Sequence, residues 1–258
     1  MLVILSPAKK LDFTPAPLPL APTRPALSRD SAELVQRVKQ LKRSDIARLM
    51  RLSESLADLT RERFQALGDK ASRAAAQPAI RAFRGDTYLG LAADDFTAED
   101  LAFAQDHVRI LSGLYGLLRP LDAIEPYRLE MGTRLKTDRG ATLYDFWGDK
   151  LAAAARKAVA ASDGDRTIVN LASNEYFRAL PQAALDLPVV TPVFKIRYGD
   201  KIKSEGFPAK KARGMMARYI VRQRINETAG LRDFRDGGYR YQSTLSDDSQ
   251  WIFLRKGD

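Results

Sequence analysis

Side chains that could take part in binding or catalysis are concentrated in residues 111–132, which read LSGLYGLLRPLDAIEPYRLEMG. Glycines and prolines in this stretch break any regular helical or alternating pattern, so the backbone must turn repeatedly. Between them stand hydroxyl, guanidinium and carboxylate groups: Ser112, Tyr115, Arg119, Asp122, Tyr127, Arg128 and Glu130. We expect such a segment to line a site, with Arg119 and Arg128 offering planar forks for phosphate or carboxylate.

Other polar residues fall in motifs that read as strand ends or turns, and we expect them to face the same cleft. Ligands bind α/β proteins at the loops that follow strands. These residues are Lys9, Asp86, Tyr88, Asn170, Ser173, Glu175 and Tyr176. Acid–base chemistry on a phosphorylated or nucleotide-like substrate would fall to Lys9, Asp86, Ser112, Tyr127 and Glu130. For each residue alone, an internal bond that fixes a loop is the alternative, so catalysis stays open.

The absence of cysteine and the single histidine, His107, exclude several kinds of site. Disulfides, thiol nucleophiles and metal centres built on several imidazoles are impossible. The lone histidine also has no G-x-S-x-G partner for a hydrolase triad. We therefore expect neither a metal nor a cofactor. Tyrosine oxygens from Tyr115, Tyr127, Tyr144 and Tyr176 could bind ferric iron, although packed rings with bonded hydroxyls are the commoner use of this residue.

The net charge of +10 is concentrated in two regions. Residues 195–224 contain ten basic side chains against two acidic ones, and residues 24–51 contain eight against three. Two basic regions on a neutral background are typical of a protein that binds a polyanion. A solvated basic surface is the alternative. We expect double-stranded or branched DNA as partner, contacted at phosphates without sequence reading, and a small anionic ligand as a second possibility.

A helix is predicted over residues 210–225, with a basic face made of Lys210, Lys211, Gly214, Arg218 and Arg222. Arg213 adds a further cation to the same element. Glycine destabilises a helix interior, so Gly214 indicates that some group approaches the helix closely there. Pro208 suits the first turn and places Lys210 and Lys211 near the positive end of the helix dipole. Phosphate is the natural ligand for this arrangement.

Short helices are predicted near residues 31–67, with Ser44, Ser53 and Thr60 as N-caps. Their joints carry Lys39, Lys42, Arg43, Arg48 and Arg51. Such an arrangement suits a helix-hairpin-helix unit that holds a DNA backbone. The hairpin lacks the usual glycine, so a plain helical subdomain with a charged outer face is the alternative.

The elements around these residues predict one α/β domain over 1–258, with a mixed sheet and surrounding helices. Strands are expected at residues 2–5, 167–171, 189–196 and 251–254, the third being an edge strand because it contains Pro192. Helices are expected over 152–161 and from Thr97 through Leu111. The chain shows no signal peptide and no apolar run of the roughly 20 residues that a membrane span needs, so we expect a cytoplasmic protein, as a monomer.

Six motifs in order along the chain give it a resemblance to a known family. They are Ser6-Pro7-Ala8-Lys9 with Leu11, Phe83-Arg84-Gly85-Asp86 with Tyr88, Gly90 and Leu91, the segment 111–132, Leu143-Tyr144-Asp145-Phe146-Trp147-Gly148, Asn170-Leu171-Ala172-Ser173 with Glu175-Tyr176-Phe177, and Lys210-Lys211-Ala212-Arg213-Gly214. The chain resembles the YaaA family of bacterial peroxide-stress proteins. The resemblance implies a single α/β domain of unusual fold, a positively charged cleft, DNA binding, and a role in limiting damage by iron and peroxide.

Overall fold

A computed structural model describes residues 1–15 and 19–257. Its strands, in chain order, are β1 (Leu2–Leu5), β2 (Lys10–Leu11), β3 (Gln77–Pro78), β4 (Phe83–Arg84), β5 (Val108–Ser112), β6 (Gly116–Leu118), β7 (Ala123–Ile124), β8 (Ile168–Asn170), β9 (Val189–Tyr198), β10 (Lys201–Lys203), β11 (Arg240–Tyr241) and β12 (Gln250–Lys256). Its α-helices are α1 (Ser28–Lys39), α2 (Arg43–Met50), α3 (Glu54–Ala66), α4 (Lys70–Ala74), α5 (Ala79–Ala82), α6 (Asp86–Leu91), α7 (Ala98–His107), α8 (Leu143–Trp147), α9 (Lys150–Ala161), α10 (Asn174–Phe177), α11 (Gln182–Leu185) and α12 (Gly206–Arg222).

The central sheet is mixed and mostly parallel, which confirms the predicted α/β fold. Its strand order is β11-β12-β9-β8-β1-β5-β6, with β10 added beside the end of β9. The strands from β12 to β5 run parallel, and β6, β10 and β11 pair antiparallel with their neighbours. All four residues of β1 are buried, as expected of a strand covered on both faces. β1 lies between β8 and β5, so successive parallel strands are added on opposite sides of it.

Several predicted elements are confirmed, and others are wrong for identifiable reasons. The predicted helix through Leu111 ends at His107, because Val108, Ile110 and their neighbours pair with β1 as a buried parallel strand. β9 is interior rather than an edge strand. Pairing with β8 stops at Val190. Pro192, which has no backbone N–H to donate, therefore lies in a part of β9 that pairs with β12 but not with β8. Ser53 caps α3 as predicted.

The helical region near residues 31–67 is present, but two predicted caps are wrong. α2 begins at Arg43, and the backbone nitrogen of Lys42 before it donates to the Asp45 carboxylate at 3.2 Å, so Ser44 lies inside the helix. Thr60 lies within α3, where its hydroxyl donates to the Leu56 carbonyl. Leu34 and Phe64 of this region belong to the same apolar core as β1. A helix-hairpin-helix function for these helices stays a prediction.

Helix α12 packs against α6 with their backbones in close contact, and two glycines make this possible. A Cβ added at Gly214 would overlap the carbonyl oxygen of Thr87 and lie 2.7 Å from the Leu91 nitrogen. A Cβ at Gly90 would overlap the carbonyl oxygen of Lys211. The close approach predicted at Gly214 therefore exists, and the approaching group is the α6 backbone. Among the described residues, no helix has the length and apolar character needed to cross a membrane.

Candidate anion-binding cleft

A cleft of about 480 Å³ opens where β1 and β8 end. Ser6 directly follows β1, and its Oγ accepts a hydrogen bond of 2.8 Å from the backbone nitrogen of Ser173, which follows β8. Successive parallel strands are added on opposite sides of β1, and the cleft lies at this point of the sheet, at its carboxyl edge. This is the position at which open α/β sheets bind ligands.

Helices α6 and α12 form the wall of the cleft beside β1. Tyr88 on α6 donates from its hydroxyl to the Ser6 carbonyl at 3.0 Å, which fixes α6 to the strand end. Lys210 on α12 lies 3.9 Å from the Asp86 carboxylate at the start of α6. The close packing of these two helices thus determines where the cations of α12 meet the loop after β1.

Cations outnumber carboxylates around the cleft. The lining cations are Lys9, Lys10, Arg84, Lys210 and Arg213, and the lining carboxylates are Asp86, Glu130 and Glu175. Glu130 binds Lys9 at 3.0 Å and Arg128 at 3.4 Å, while Arg84 lies 3.2 Å from Asp94 behind the rim. Glu175 accepts a hydrogen bond from the Gly132 nitrogen. The lining therefore carries a net positive charge that these carboxylates only partly neutralise.

Arg213 is the cleft cation whose surroundings differ most from the rest. Its side chain is half-buried between the helices, and among residues 1–15 and 19–257 it has neither a hydrogen bond nor a carboxylate partner. Burial lowers the pKa of the Arg213 guanidinium, because its charge is partly removed from water. A half-buried charge without a counter-charge destabilises a fold unless an anion neutralises it. Within the described part of the chain, the hydrogen-bond donors of the Arg213 guanidinium therefore have no protein acceptor.

The pair Ser112 and Tyr127 lies beneath the cleft surface. Their hydroxyls are 2.7 Å apart, and Ser112 is fully buried and also accepts from the Tyr115 nitrogen. Burial raises the pKa of the Tyr127 hydroxyl well above its ordinary value, so the phenol stays neutral. Of the five candidates for acid–base chemistry, the structure brings Lys9, Asp86 and Glu130 to the open cleft.

Several other residues predicted for the site make internal contacts instead. Asp122 is fully buried, with hydrogen bonds from Arg119 at 2.8 Å and Thr23 at 2.6 Å. The Tyr115 hydroxyl accepts from the Glu125 nitrogen, and the Asn170 side chain accepts from the Ala172 nitrogen. These residues shape the loops around the cleft, whereas Tyr176 and Ser173 line it.

The basic residues predicted to contact phosphate from α12 are divided between two environments. Lys210, Lys211 and Arg213 lie at the cleft end, and Lys211 is exposed. Arg218 binds Asp95 with both of its terminal nitrogens, at 2.6 and 2.7 Å. Arg222 binds Asp100 at 2.5 Å. The charges of Arg218 and Arg222 are therefore already neutralised in part by internal carboxylates, which weakens their attraction for DNA phosphate.

Cations of the helical region are also partly neutralised. Arg43 pairs with Glu54 at 3.0 Å and with Asp58, and Arg48 pairs with Asp45. Lys42 and Arg51 are exposed, and Lys39 is half-buried. Their part in DNA binding stays a prediction.

Iron binding by tyrosine finds little support in the surroundings of the rings. Burial raises the pKa of Tyr115, Tyr127 and Tyr176, which opposes the tyrosinate form that ferric iron requires. The Tyr144 hydroxyl donates to the Glu175 carbonyl at 2.8 Å. Within the described part of the chain, no group of three or more histidine or carboxylate side chains is placed to hold a metal ion.

Sequence reasoning left Ser6, Lys10 and Arg84 out of the site, although all three line the cleft. Ser6 and Arg84 stand inside the motifs Ser-Pro-Ala-Lys and Phe-Arg-Gly-Asp, whose residues Lys9 and Asp86 are among the predicted site residues. The position of Ser6 directly after a buried strand was the signal that could have found it. Lys10 and Arg84 meet because β2 pairs with β4, and no local sequence pattern predicts this pairing.

Acid is expected to weaken the ion pairs that hold α12. Hydrogen bonds from Arg218 lower the pKa of Asp95 to about 2 from its ordinary value of 3.8. The stability that this carboxylate contributes is therefore complete above about pH 4 and is lost as the pH falls toward 2. Urea unfolding of the wild type and of Asp95→Asn tests this expectation. The variant should be less stable at pH 6, and the difference should shrink steadily below pH 4; an unchanged difference at pH 3 would contradict it.

The sheet order and the cleft beside β1 define an α/β protein with a basic cleft at the carboxyl edge of its central sheet. Residues 1–245 match the family described as Peroxide stress protein YaaA. The chain is 52% identical to a UPF0246 protein of Phenylobacterium zucineum over 99% of this chain and 95% of the relative. It is 48% identical to one from Saccharophagus degradans (99% and 100%) and 50% identical to one from Caulobacter vibrioides (99% and 99%). The chain belongs to the YaaA family of peroxide stress proteins.

Proposed function

We propose that this protein binds DNA through backbone phosphates at the cleft and limits iron-dependent oxidative damage during peroxide stress. The observation that carries this proposal is Arg213, a half-buried cation without a counter-charge among the described residues, which lines the cleft together with Lys9, Lys10 and Lys210. Phosphate supplies the missing negative charge and accepts hydrogen bonds from a guanidinium fork. The resemblance to the family supplies the link to DNA, and the family's name supplies the link to peroxide.

Contacts of this kind position DNA without reading its sequence. The cations stand on the loop after β1, on β2, on β4 and on the first turns of α12, and all of them line the same cavity. Lysine and arginine contacts to phosphate give a strong dependence on salt, because each neutralised phosphate releases counterions. We therefore expect binding that tolerates any sequence and weakens steeply as salt is added.

Removal of the Arg213 charge is expected to separate DNA binding from folding. For Arg213→Gln, DNA affinity should fall about tenfold near 0.1 M salt, and the slope of log affinity against log salt should decrease by about one. The melting temperature should stay the same or rise, since an unpaired, half-buried charge is removed. Fluorescence anisotropy of labelled duplex and branched DNA over a salt series gives the affinity and its salt slope. Lys157→Gln, an exposed charge on α9, serves as the matched control.

Protection of DNA can be measured directly. Supercoiled plasmid exposed to ferrous iron and hydrogen peroxide is nicked, and bound wild-type protein should slow the nicking. Arg213→Gln should protect less, in proportion to its weaker binding, and Lys157→Gln should protect like the wild type. Equal protection by all three proteins would show that the effect does not depend on binding at the cleft.

A small phosphorylated molecule is the second candidate ligand, and the cleft itself favours it. A cavity of about 480 Å³ at the switch point of an α/β sheet has the size and position of a nucleotide site. Lys9, Asp86, Glu130 and Lys210 would then surround the ligand as groups capable of proton transfer. Melting temperatures with adenosine monophosphate and with inorganic phosphate test this alternative. A saturable increase that Arg213→Gln abolishes, without measurable binding of DNA, would favour it over the first.

A further inference from the structure

One face of the strands β9 to β12 carries a set of cations that the cleft does not use. Residues paired across neighbouring strands share a face of the sheet. Arg240 on β11 pairs with Leu254 on β12, which in turn pairs with Lys195 on β9. In the next row, Lys256 pairs with Arg197, and Arg197 pairs with Ile202 on β10. Since Lys195 and Arg197 are two positions apart, both rows lie on one face, which we call the basic sheet face.

The opposite face of the same strands is the one that the core covers. Phe194 and Phe253 are buried there against Phe234, and both belong to the main apolar cluster. On the basic sheet face, Lys195 is half-exposed, and Arg197, Arg240 and Lys256 are exposed. Ile252 and Leu254 of this face are buried, but they lie outside the main apolar cluster of the described residues. The exposure of these four cations shows that their part of the face borders solvent, and their apolar stems can cover Ile252 and Leu254.

The charge of the basic sheet face is not balanced. None of the strands β9, β10, β11 and β12 contains an aspartate or a glutamate. Within the described part of the chain, Lys195, Arg197, Arg240 and Lys256 form no ion pair within 4.0 Å. The outer arginines of α12 differ in this respect, because Arg218 and Arg222 each have an aspartate. Four cations on one face, with no ion pair among the described residues, generate a field that attracts a polyanion.

The spacing of these cations suits duplex nucleic acid. Strands are about 4.8 Å apart, so Arg240 and Lys195 are separated by roughly 10 Å across the sheet. Lys195 and Arg197 are separated by about 7 Å along β9. These distances are comparable with the widths of the two DNA grooves, which are about 6 and 12 Å. Trp251 and Tyr241 share the opposite face with Phe253, so the basic sheet face offers no ring on which single-stranded bases could stack.

We propose that the basic sheet face is a second binding surface for the phosphate backbone of duplex DNA, separate from the cleft. The proposal rests on the proposed function, since it takes DNA as the physiological partner, but it concerns different residues. Simultaneous use of both surfaces would engage more phosphates than the cleft alone. Each added phosphate contact steepens the slope of log affinity against log salt concentration by about 0.9.

The test compares Lys195→Gln/Arg197→Gln/Lys256→Gln with the wild type and with Arg213→Gln in the anisotropy salt series. We expect the triple variant to decrease the salt slope by about three and to weaken duplex binding about 100-fold near 0.1 M salt. Lys157→Gln should leave both quantities unchanged. Wild-type binding that only Arg213→Gln weakens would overturn this inference and leave the proposed function standing. Wild type that binds no DNA would overturn the proposed function itself.

A measurement on the wild type avoids any dependence on how the variant folds. Acetylation of lysines, read by mass spectrometry, should slow at Lys195 and Lys256 when duplex DNA is added, and should stay unchanged at Lys157. Equal acetylation of Lys195 and Lys256 with and without bound DNA would overturn the inference. Protection by phosphatidylserine vesicles in place of DNA would identify a membrane surface as the occupant and would likewise overturn it.

Discussion

Gly214→Ala should destabilise the protein by about 3 kcal/mol or more, one of the largest effects expected of a single methyl group here. The added Cβ would overlap the Thr87 carbonyl oxygen and lie 2.7 Å from the Leu91 nitrogen. Both are backbone atoms of α6, so no side chain can rotate away, and the two helices must separate. The free energy of unfolding in urea measures the effect.

The control for this prediction is a glycine in the same helix. Gly206, the first residue of α12, has nothing within 4 Å of its Cβ position. Gly206→Ala should leave stability unchanged or raise it by up to about 1 kcal/mol, because alanine is the better helix former. If both alanine variants were equally stable, backbone contact between α6 and α12 would not be what requires Gly214. Because α6 and α12 form a wall of the cleft, Gly214→Ala should also weaken DNA binding in the folded fraction.

Asp100→Asn should lower the free energy of unfolding by about 2 to 3 kcal/mol. The Asp100 side chain is 4% exposed and binds Arg222 at 2.5 Å and Arg224 at 2.7 Å. Asparagine keeps an oxygen for the capping bond from the Thr97 nitrogen, but it leaves Arg224 without a counter-charge and leaves Arg222 with Asp95 alone, at 3.1 Å. The loss stays below that of a fully buried pair because these arginines are 30% and 39% exposed and can be hydrated.

Glu99→Gln provides the comparison, because Glu99 is the exposed neighbour in the same first turn of α7. We expect a change within about 0.5 kcal/mol, as for surface charges generally. In thermal and urea unfolding, Asp100→Asn should be clearly less stable than Glu99→Gln. Similar stabilities would mean that the Asp100 ion pairs contribute no more than surface charges do.

Much of the architecture could be predicted from local patterns. The apolar strand Leu2–Leu5, the capping box at Thr97 and the alanine-rich helix α9 all depend on residues close in sequence. The end of α7 could not be predicted in this way, because Val108 and Leu111 continue the helical spacing. Pairing with β1, about 100 positions earlier in the chain, converts them to a strand. Tertiary context overrides local propensity at such points.

The candidate site, too, could be predicted from local patterns only in part. Strand-end motifs identified Lys9, Asp86 and Glu130, which the structure places in one cleft. Periodicity identified the cations of α12 but not what they face. Asp95 and Asp100, more than 100 positions away, neutralise Arg218 and Arg222, while Arg213 is left without such a partner. A helical pattern specifies the direction of a side chain relative to its own axis, whereas its partner depends on distant segments.

By itself, the sequence determined the α/β class, the family, the excess of positive charge and the absence of thiol chemistry, since these follow from composition, local patterns and motifs. The tertiary structure alone decided which cations are neutralised, which hydroxyls are buried, and that Gly214 meets a backbone rather than a ligand. It also revealed the basic sheet face, because strand register brings Arg240, Lys195 and Lys256 together from separate strands. The physical reason is that charge compensation and burial are set by contacts between distant segments, which no local pattern encodes.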